Sequence, residues 1–370
     1  MERTQGPLNH NILQASRFSK RFRRNKPALF SVVYISLLVA VALLAVPLSA
    51  DRTKDANRIT LEISARKPGF RCYFFAPGEA REGIHTISDF FSGYPIQKEW
   101  IPVSSYKWVG DTLILEKIID EDLTESVRVG GLQTINKQAY LDKHLHAARF
   151  WLGTDKFGRD VLSRLLVGSR VSLSVGIIAV LLSISIGVLL GAMAGYFGGR
   201  TDQLISWFIQ VVWAIPTLLL VFAITFALGK GFWQIFIAVG LTMWVGTARL
   251  IRGQVMSLRE LEYVQAAKVM GFSSGRILLY HILPNVLGPT LVMAASNFAT
   301  AILIEAGLSF LGIGVQPPVA SWGLMIKENY NFIITNRPML ALVPGVAIML
   351  TVLAFNILGN ALRDALDVKS

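Results

Sequence analysis

Long apolar runs separated by short polar connections make up most of this chain. They cover residues 28–49, 171–197, 203–228, 232–249, 285–311 and 340–361. About 20 residues of α-helix cross the hydrocarbon core of a bilayer, so runs of this length predict transmembrane helices. The pattern therefore predicts an all-α membrane protein with six spans, of which the fourth is the shortest.

A long polar segment interrupts this pattern between the first and second spans. Residues 50–168 contain strand-like stretches such as "YFF" (73–75) and "DTLILEKII" (111–119), with turn signals at Pro77-Gly78 and Gly130-Gly131. The segment is long enough for a small folded subdomain. We therefore expect a mixed α/β insertion between helices 1 and 2.

The composition agrees with a membrane protein. The chain is 53% hydrophobic and only 16% charged, whereas soluble domains are about 25% charged. A net charge of +12 would also suit a nucleic-acid-binding protein. The Lys and Arg residues, however, cluster in short segments beside the apolar runs, where they orient a membrane protein. We therefore expect a lipid membrane as the surrounding partner and no nucleic acid.

The basic residues also predict the orientation. They concentrate in the N-terminal residues 1–27 and in the connection 250–284, and Arg363 and Lys369 follow the sixth span. Because the cytoplasmic side carries this excess, we expect both termini and 250–284 to be cytoplasmic and 50–168 to be extracytoplasmic. The first run exceeds the apolar core of a signal peptide, about 7–15 residues, so we expect a retained anchor over 28–49.

Several kinds of chemistry are missing from the sequence. Cys72 is the only cysteine, and the "HLH" at His144 and His146 lacks further metal ligands nearby. The sequence contains no G-x-x-x-x-G-K-[ST] loop, no H-E-x-x-H and no G-x-S-x-G. We expect no enzyme, no metal and no cofactor here; any ATP-driven work would need a separate ATPase subunit.

Three residues inside the predicted spans are candidates for a pathway or for structure. Glu305 is an intramembrane carboxylate, which by default suggests ion coupling, although a structural acid near the outer end of the fifth helix is the favoured interpretation. Pro216 and Pro289 remove backbone hydrogen bonds and predict kinks. The second span also carries a repeat of small residues that favours close helix packing: Gly187, Gly191 and Gly195.

The connection between the fourth and fifth spans predicts a helical bracket. "LRELEYVQAAKVMGF" (258–272) has helical spacing, and Gly271 can end that helix in the left-handed conformation. "SSGRILLYHIL" then predicts a second helical piece that begins at Ser273 or Ser274 and that Pro284 stops. Ala266, Ala267 and Gly271 have little side-chain bulk, so another protein could approach the backbone closely. An amphipathic helix that rests on lipid headgroups would fit the pattern equally well.

The same connection resembles the cytoplasmic signature of bacterial binding-protein-dependent ABC importer permeases. That signature is E-A-A, three residues, Gly, nine residues and I-x-L-P. The sequence has Gln265-Ala266-Ala267, Gly271 and His281-Ile282-Leu283-Pro284 at the same spacing. Gln265 replaces the usual Glu and His281 the usual Ile, so an ionic role at position 265 is lost.

Further stretches resemble the dipeptide/oligopeptide branch of this family, and its C-type permease in particular. They are "LGTDKFGRDVLSRLLVGSRVSL" (152–173), "EAGLSFLGIGVQPPVASWG" (305–323) and "LGNALRDALDVKS" (358–370). The resemblance implies a six-helix type I importer fold with the permease core over 169–370, in the bacterial inner membrane. It also makes 250–284 the coupling segment, with an ATPase-docking helix that includes Gln265, Ala266, Ala267, Gly271 and Pro284.

The resemblance also implies the partners. These are two cytoplasmic ABC ATPase subunits, a second homologous permease in a heterodimer, an extracytoplasmic binding protein, and a short peptide or related solute such as a nickel complex, an opine or a peptide-like antibiotic. Two other hypotheses stay open at this point. One is a stand-alone secondary transporter or channel that uses Glu305. The other is a membrane-anchored receptor or enzyme whose 50–150 segment is the functional part.

Overall fold

The computed structural model describes residues 22–77, 86–94, 100–120, 123–130, 136–229, 231–335 and 337–366. The chain forms two compact units. We call them the helical unit, which comprises Met1–Leu38, Leu173–Gly307 and Ile348–Ser370, and the mixed unit, which comprises Val39–Ser172 and Leu308–Ala347. In this division residues 308–347 group with the insertion, and the predicted permease core over 169–370 stays a prediction.

Helices form most of the described chain. In order they are α1 (Lys26–Leu43), α2 (Ala45–Leu48), α3 (Ile87–Ser92), α4 (Lys137–His144), α5 (Val161–Phe197), α6 (Gly199–Trp213), α7 (Thr217–Leu228), α8 (Phe232–Arg259), α9 (Glu262–Val269), α10 (Ser274–Ile277), α11 (Leu283–Leu311), α12 (Trp322–Asn329) and α13 (Met339–Leu366). Among the described residues, five helices are long and apolar enough to cross a membrane, and a sixth span results if α6 and α7 are counted together.

The predicted third span is not one straight helix. Residues 203–228 were predicted as a single kinked span, but α6 and α7 meet at an angle of 93°. Pro216 stands at the N-cap of α7 with φ −55° and ψ 128°, outside helical geometry. Proline has no N–H to donate and also disfavours helical geometry in the residue before it, so the break falls at this point.

Two other spans are longer than their apolar runs. α5 begins at Val161 rather than at 171, and α8 continues to Arg259 rather than ending at 249. The additional turns contain Arg164 and Arg170 in α5 and Arg252 in α8. Arg propagates a helix nearly as well as Leu, so a charged residue ends an apolar run without ending the helix.

The prediction that Pro284 stops a helix is wrong. Ser274–Leu311 is one continuous helical segment, in which α10 passes through a π-helical turn, Leu278–Ile282, into α11. A π-turn widens the helix locally and shifts the hydrogen-bond pattern, so the helix can pass a residue without an N–H. Pro289 likewise lies inside α11.

The mixed unit is built on a five-stranded antiparallel sheet. Its strands are β1 (Phe70–Phe75), β2 (Ile101–Val109), β3 (Thr112–Ile118), β4 (Thr124–Val129) and β5 (Leu145–Phe150), in the order β4-β3-β2-β1-β5. Successive side chains of a strand point to opposite faces. Phe74 packs with Ile63 and Phe150, whereas Phe75 packs with Val103 and Leu115, so both faces of the sheet are covered.

A buried group of charges connects α12 to the start of α5 within the mixed unit. Arg159 donates to Asp155 (Nε–Oδ2 2.7 Å) and to Glu328 (Nη2–Oε2 2.6 Å). Arg164 also lies 3.4 Å from Glu328, and all four side chains are buried. A buried charge is tolerated only when it is paired. These pairs hold α12 to the start of α5.

The glycine repeat of α5 packs against α8 inside the helical unit. A Cβ at Gly187 would lie 2.5 Å from Thr247 Cβ, and one at Gly195 would lie 2.7 Å from the carbonyl of Arg252; at Gly191 it would meet the carbonyl of Ala248. Side chains larger than hydrogen cannot fit at these distances. The prediction of close helix packing is confirmed.

Candidate functional site

The predicted bracket between the fourth and fifth spans consists of a short helix held by defined caps. α8 ends at Arg259 and α9 starts at Glu262. Gly271 has φ +79°, its N–H bonds to the carbonyl of Lys268 (3.0 Å), and the N–H of Phe272 bonds to that of Ala267 (3.2 Å). This is the Schellman geometry that glycine favours. The Ser273 hydroxyl then accepts from the Arg276 N–H and starts α10, as predicted.

One face of α9 belongs to the core of the helical unit. Val264 and Ala267 pack in a cluster with Tyr196 of α5, Ile251 of α8 and Ile282 of the π-turn. Ala267 is only 1% exposed, so it does not lie on a surface that another protein could contact. Its small side chain instead brings α9 close to the helices beneath it.

The other face of α9 and the turn after it are exposed. Ala266 and Gly271 are at the surface, and a Cβ at Gly271 would have open space around it. Beside them, Val269 is 89% exposed and Met270 65% exposed. We call Val269, Met270 and Gly271 the exposed tip. Sequence reasoning missed its two apolar side chains, because the helical spacing of 258–272 rests on Leu258, Leu261 and Val264, and Val269 and Met270 do not continue that spacing.

Gln265 connects α9 to the end of α8. Its Nε2 donates to the carbonyl of Arg259 at 2.8 Å, one of the carbonyls that a helix end leaves unpaired. An ionised glutamate has only acceptor oxygens, so it could not make this bond. Gln265, which replaces the Glu of the E-A-A pattern, therefore makes a hydrogen bond that an ionised Glu could not make.

Arg259 extends this connection to α5. Its Nη1 lies 3.2 Å from the carbonyl of Tyr196 and 3.4 Å from that of Gly195, and its Nε donates to Glu260 at 3.0 Å. The guanidinium thus binds the last turn of α5, where a positive charge also suits the helix dipole. Arg259 joins the end of α8 to the last turn of α5 through its side chain, and to α9 through its carbonyl, which accepts from Gln265.

An ion pair fixes α6 to α8 nearby. Arg252 binds Asp202 through two parallel bonds, Nε–Oδ1 at 2.5 Å and Nη2–Oδ2 at 2.7 Å. The Ser206 hydroxyl also donates to Asp202 Oδ1 (3.1 Å). Bidentate pairs constrain orientation as well as distance, so α6 and α8 are held in a defined geometry.

The π-turn supplies the other attachment of α9. The carbonyl of His281 accepts from the Asn285 Nδ2 (2.7 Å) and from the Tyr263 hydroxyl (3.4 Å). Tyr263 belongs to α9, so this contact ties it to the start of α11. Pro284 lies exposed at that start.

The remaining sequence candidates lie elsewhere in the chain. Pro216 is at the bend between α6 and α7, and Glu305 is fully buried in α11. His144 bonds through Nδ1 to the carbonyl of Ala76 (2.8 Å), which is a structural contact. Among the described residues no three His, Cys, Asp or Glu side chains lie together as metal ligands would.

A cavity with both polar and apolar side chains in its wall was not predicted. It has a volume of about 550 Å³ and lies between α8, α11 and α13 of the helical unit. Pro289 is part of its wall, together with the polar side chains Gln254, Ser296, Asn356, Asn360 and Arg363. The signal available in the sequence was the pair of Asn residues four positions apart inside the otherwise apolar run 340–361.

Comparison with known proteins identifies the family. Residues 187–369 match the family described as binding-protein-dependent transport system inner membrane component. Residues 14–62 match the N-terminal transmembrane domain of oligopeptide transport permease C. Among solved structures, an inward-facing MetNI methionine ABC transporter aligns with a TM-score of 0.45 and 16% identity, over 55% of this chain and 96% of that one.

Curated relatives agree at much higher identity. The dipeptide transport system permease protein DppC of Alkalihalophilus pseudofirmus is 45% identical over 60% of this chain and 73% of its own length. The oligopeptide transport system permease protein OppC of Bacillus subtilis is 42% identical over 59% of this chain and 72% of its own length. The glutathione transport system permease protein GsiD of Pectobacterium atrosepticum matches at 42% over the same shares. The chain therefore belongs to the dipeptide and oligopeptide permease family of binding-protein-dependent transport systems, whose members are multi-pass components of the inner membrane.

Proposed function

We propose that this protein is the C-type permease subunit of an ATP-driven importer of short peptides, and that α9 with the exposed tip binds a cytoplasmic ATPase subunit. The observation that carries the docking proposal is the two-sided character of α9. Its inner face is packed into the helical core, while Val269, Met270 and Gly271 expose apolar and backbone surface. Neighbouring exposed apolar groups in a charged segment are typical of a surface that contacts another protein or the membrane, and the resemblance of this segment to the permease signature favours the protein.

The site residues then have different roles. Ala266 and Gly271 belong to the surface that the ATPase approaches, and Gly271 also ends α9. Gln265 and Ala267 position α9, the first through the carbonyl of Arg259 and the second by close packing. Pro284 lies at the start of α11, beyond the π-turn to which Tyr263 is bonded.

The proposal includes the rest of the assembly. A second homologous permease pairs with this one, two ATPase subunits bind on the cytoplasmic side, and a binding protein delivers the peptide from outside. Both chain termini are cytoplasmic, and the sheet of the mixed unit belongs to the extracytoplasmic insertion. Six spans, with α6 and α7 as one broken span, complete the type I arrangement. Hydrolysis of ATP occurs in the partner subunits.

The names of the relatives support a peptide substrate. They are named for the transport of dipeptides, oligopeptides and glutathione, which share peptide bonds and a terminal carboxylate. These relatives also favour a permease over a stand-alone transporter that uses Glu305. A fully buried carboxylate in α11 suits the structural role.

Replacement of Gly271 by Trp tests the docking surface. A Cβ at this position has open space around it, and Trp here would project where the ATPase approaches, although it is strained at φ +79°. We expect peptide uptake to fall at least tenfold, with normal amounts of protein in the membrane and with ATP hydrolysis no longer linked to uptake.

Two control variants separate bulk from backbone effects. Gly271→Asn keeps a residue that tolerates φ +79°, so it should retain most uptake. Gly275→Trp adds the same bulk at another open position, in α10, and should transport normally. Uptake at the unmodified rate by Gly271→Trp, or equal loss in Gly275→Trp, would reject the docking proposal.

A further inference from the structure

The cavity between α8, α11 and α13 has a group of polar side chains in its wall beside the apolar residues Leu250, Val292, Met293 and Leu366. Asn356, Asn360 and Arg363 follow one another at positions i, i+4 and i+7 of α13, so they share one face of that helix. All three are exposed. Gln254 of α8 and Ser296 of α11 complete the polar wall.

Of this face, Asn356 is the side chain for which contact with lipid would be unfavourable. Asn356 is five residues inside the end of the apolar run 340–361, roughly 7 Å along the helix. An amide without hydrogen-bond partners in hydrocarbon costs several kcal/mol. Side chains of this kind in membrane helices face a water-filled path or a protein partner.

The adjacent face of α13 is the one that packs against α11. Phe355 stacks on Phe298 with ring centroids 3.9 Å apart, and a Cβ at Gly359 would lie 3.3 Å from that of Ala295. Both helices are therefore held close along this seam. Asn356 and Asn360 lie beside this contact and line the cavity. The cavity is therefore present although α11 and α13 are in contact.

The chemistry of the wall matches a peptide. Asparagine and glutamine amides both donate and accept hydrogen bonds, as a peptide bond does. A guanidinium binds a carboxylate through two parallel bonds. The volume of about 550 Å³ lies within the range of small-molecule sites, about 300–1,000 Å³.

We infer that this cavity is part of the aqueous substrate path, in which Asn356 and Asn360 bind the peptide backbone and Arg363 its terminal carboxylate. The inference rests on the proposed function, to which it adds the residues that contact the substrate. Two of the helices that line this path, α8 and α11, are the ones that precede and follow α9 in the sequence.

Labelling with a thiol reagent tests whether the cavity contains water. Cys72, the only cysteine, is buried, and burial raises the pKa of its thiol to about 12, so the unmodified chain should not react at pH 8. Asn356→Cys and Ser296→Cys, in membranes that contain the assembled transporter, should react with a membrane-impermeant, sulfonate-bearing methanethiosulfonate.

Leu291→Cys is the matched control. Leu291 is 54% exposed on α11 and lies about 140° around the helix from Ser296, at about 100° per residue. It is also one and a half turns nearer the start of α11. If depth alone decided access, Leu291→Cys would react first. We expect Ser296→Cys to react at least tenfold faster; equal rates, or no reaction at positions 296 and 356, would overturn the inference.

Measurements of uptake test separately whether Asn356 and Asn360 bind the peptide. Replacement of both Asn356 and Asn360 by Leu removes two hydrogen bonds of about 1 kcal/mol each, so uptake of a radiolabelled dipeptide at limiting concentration should fall about 10- to 30-fold. Binding of the ATPase subunits should not change, which separates this loss from a failure of docking at α9. Unchanged uptake in a variant present at normal levels would refute the assignment of these residues.

Discussion

The exposed tip of α9 can be tested without disturbing the fold. Val269 and Met270 are 89% and 65% exposed, and no described core cluster contains them. The double substitution Val269→Asp with Met270→Asp therefore removes little that the isolated subunit uses. The carboxylates lie near the C-terminal end of α9, where the helix dipole disfavours them by about 0.3–1 kcal/mol each. The variant should fold and reach the membrane.

The double substitution should weaken binding of the ATPase more than it destabilises the permease subunit. Burial of a Val or Met side chain contributes about 1.5–3 kcal/mol, and most of the surface of both residues is still available to a partner. With the lower value, the loss is about 3 kcal/mol, which corresponds to roughly 150-fold weaker binding. Desolvation of two carboxylates against an apolar cleft adds to this loss. We expect the dissociation constant for the ATPase subunits to rise at least 100-fold.

The assay is co-purification followed by titration. The permease assembly is purified with its ATPase subunits in detergent, and binding is measured against ATPase concentration. Tyr280→Asp is the matched control, because Tyr280 is 75% exposed but lies in the π-turn rather than at the tip. Wild-type affinity in the double variant, or an equal loss in Tyr280→Asp, would refute the assignment of the tip as the docking surface.

Two further predictions concern stability. Glu328→Gln leaves Arg159 and its neighbours with too little negative charge in a buried site, so the free energy of unfolding should fall by about 3–5 kcal/mol. Glu125→Gln, at an exposed position of β4, is the control and should lower the free energy of unfolding by less than about 0.5 kcal/mol. The two variants are compared by thermal unfolding in detergent. Similar midpoint temperatures would contradict a structural role for the buried pairs. Gly191→Leu should force α5 away from α8 and reduce the folded yield strongly, whereas Gly345→Leu, where a side chain meets open space, should be tolerated; equal yields would show that the α5–α8 contact is not close in the membrane.

Hydrophobic patterning predicted where helices exist better than where they end. An apolar run reports which residues contact lipid or the core, and a helix continues as long as its backbone bonds can form. Arg164 and Arg252 lie outside the apolar runs 171–197 and 232–249 yet inside α5 and α8, where each is paired with a carboxylate. Those partners, Glu328 and Asp202, are 164 and 50 positions away in the sequence. A local pattern cannot contain this information.

At the candidate site, the features that depend only on neighbouring residues in the sequence were predicted correctly. The positive φ of Gly271 and the cap at Ser273 follow from residue types and spacing alone. The burial of Ala267 and the exposure of Met270 do not, because both depend on which side of α9 meets α5 and α8. Asn356 and Asn360 could have been noticed, since two amides one turn apart are unusual in an apolar span.

The anchoring of α9 matters as much as its exposed tip for the proposed coupling. An ATPase that binds α9 can shift the permease between two states only if its contacts differ between those states. A flexible segment would absorb the displacement of the ATPase without moving any helix. α9 is instead bonded to α8 through Gln265 and to the π-turn through Tyr263, and Arg259 at the end of α8 is bonded in turn to α5. We therefore expect a displacement at the tip to be passed to α8 and α11, and these two helices line the cavity.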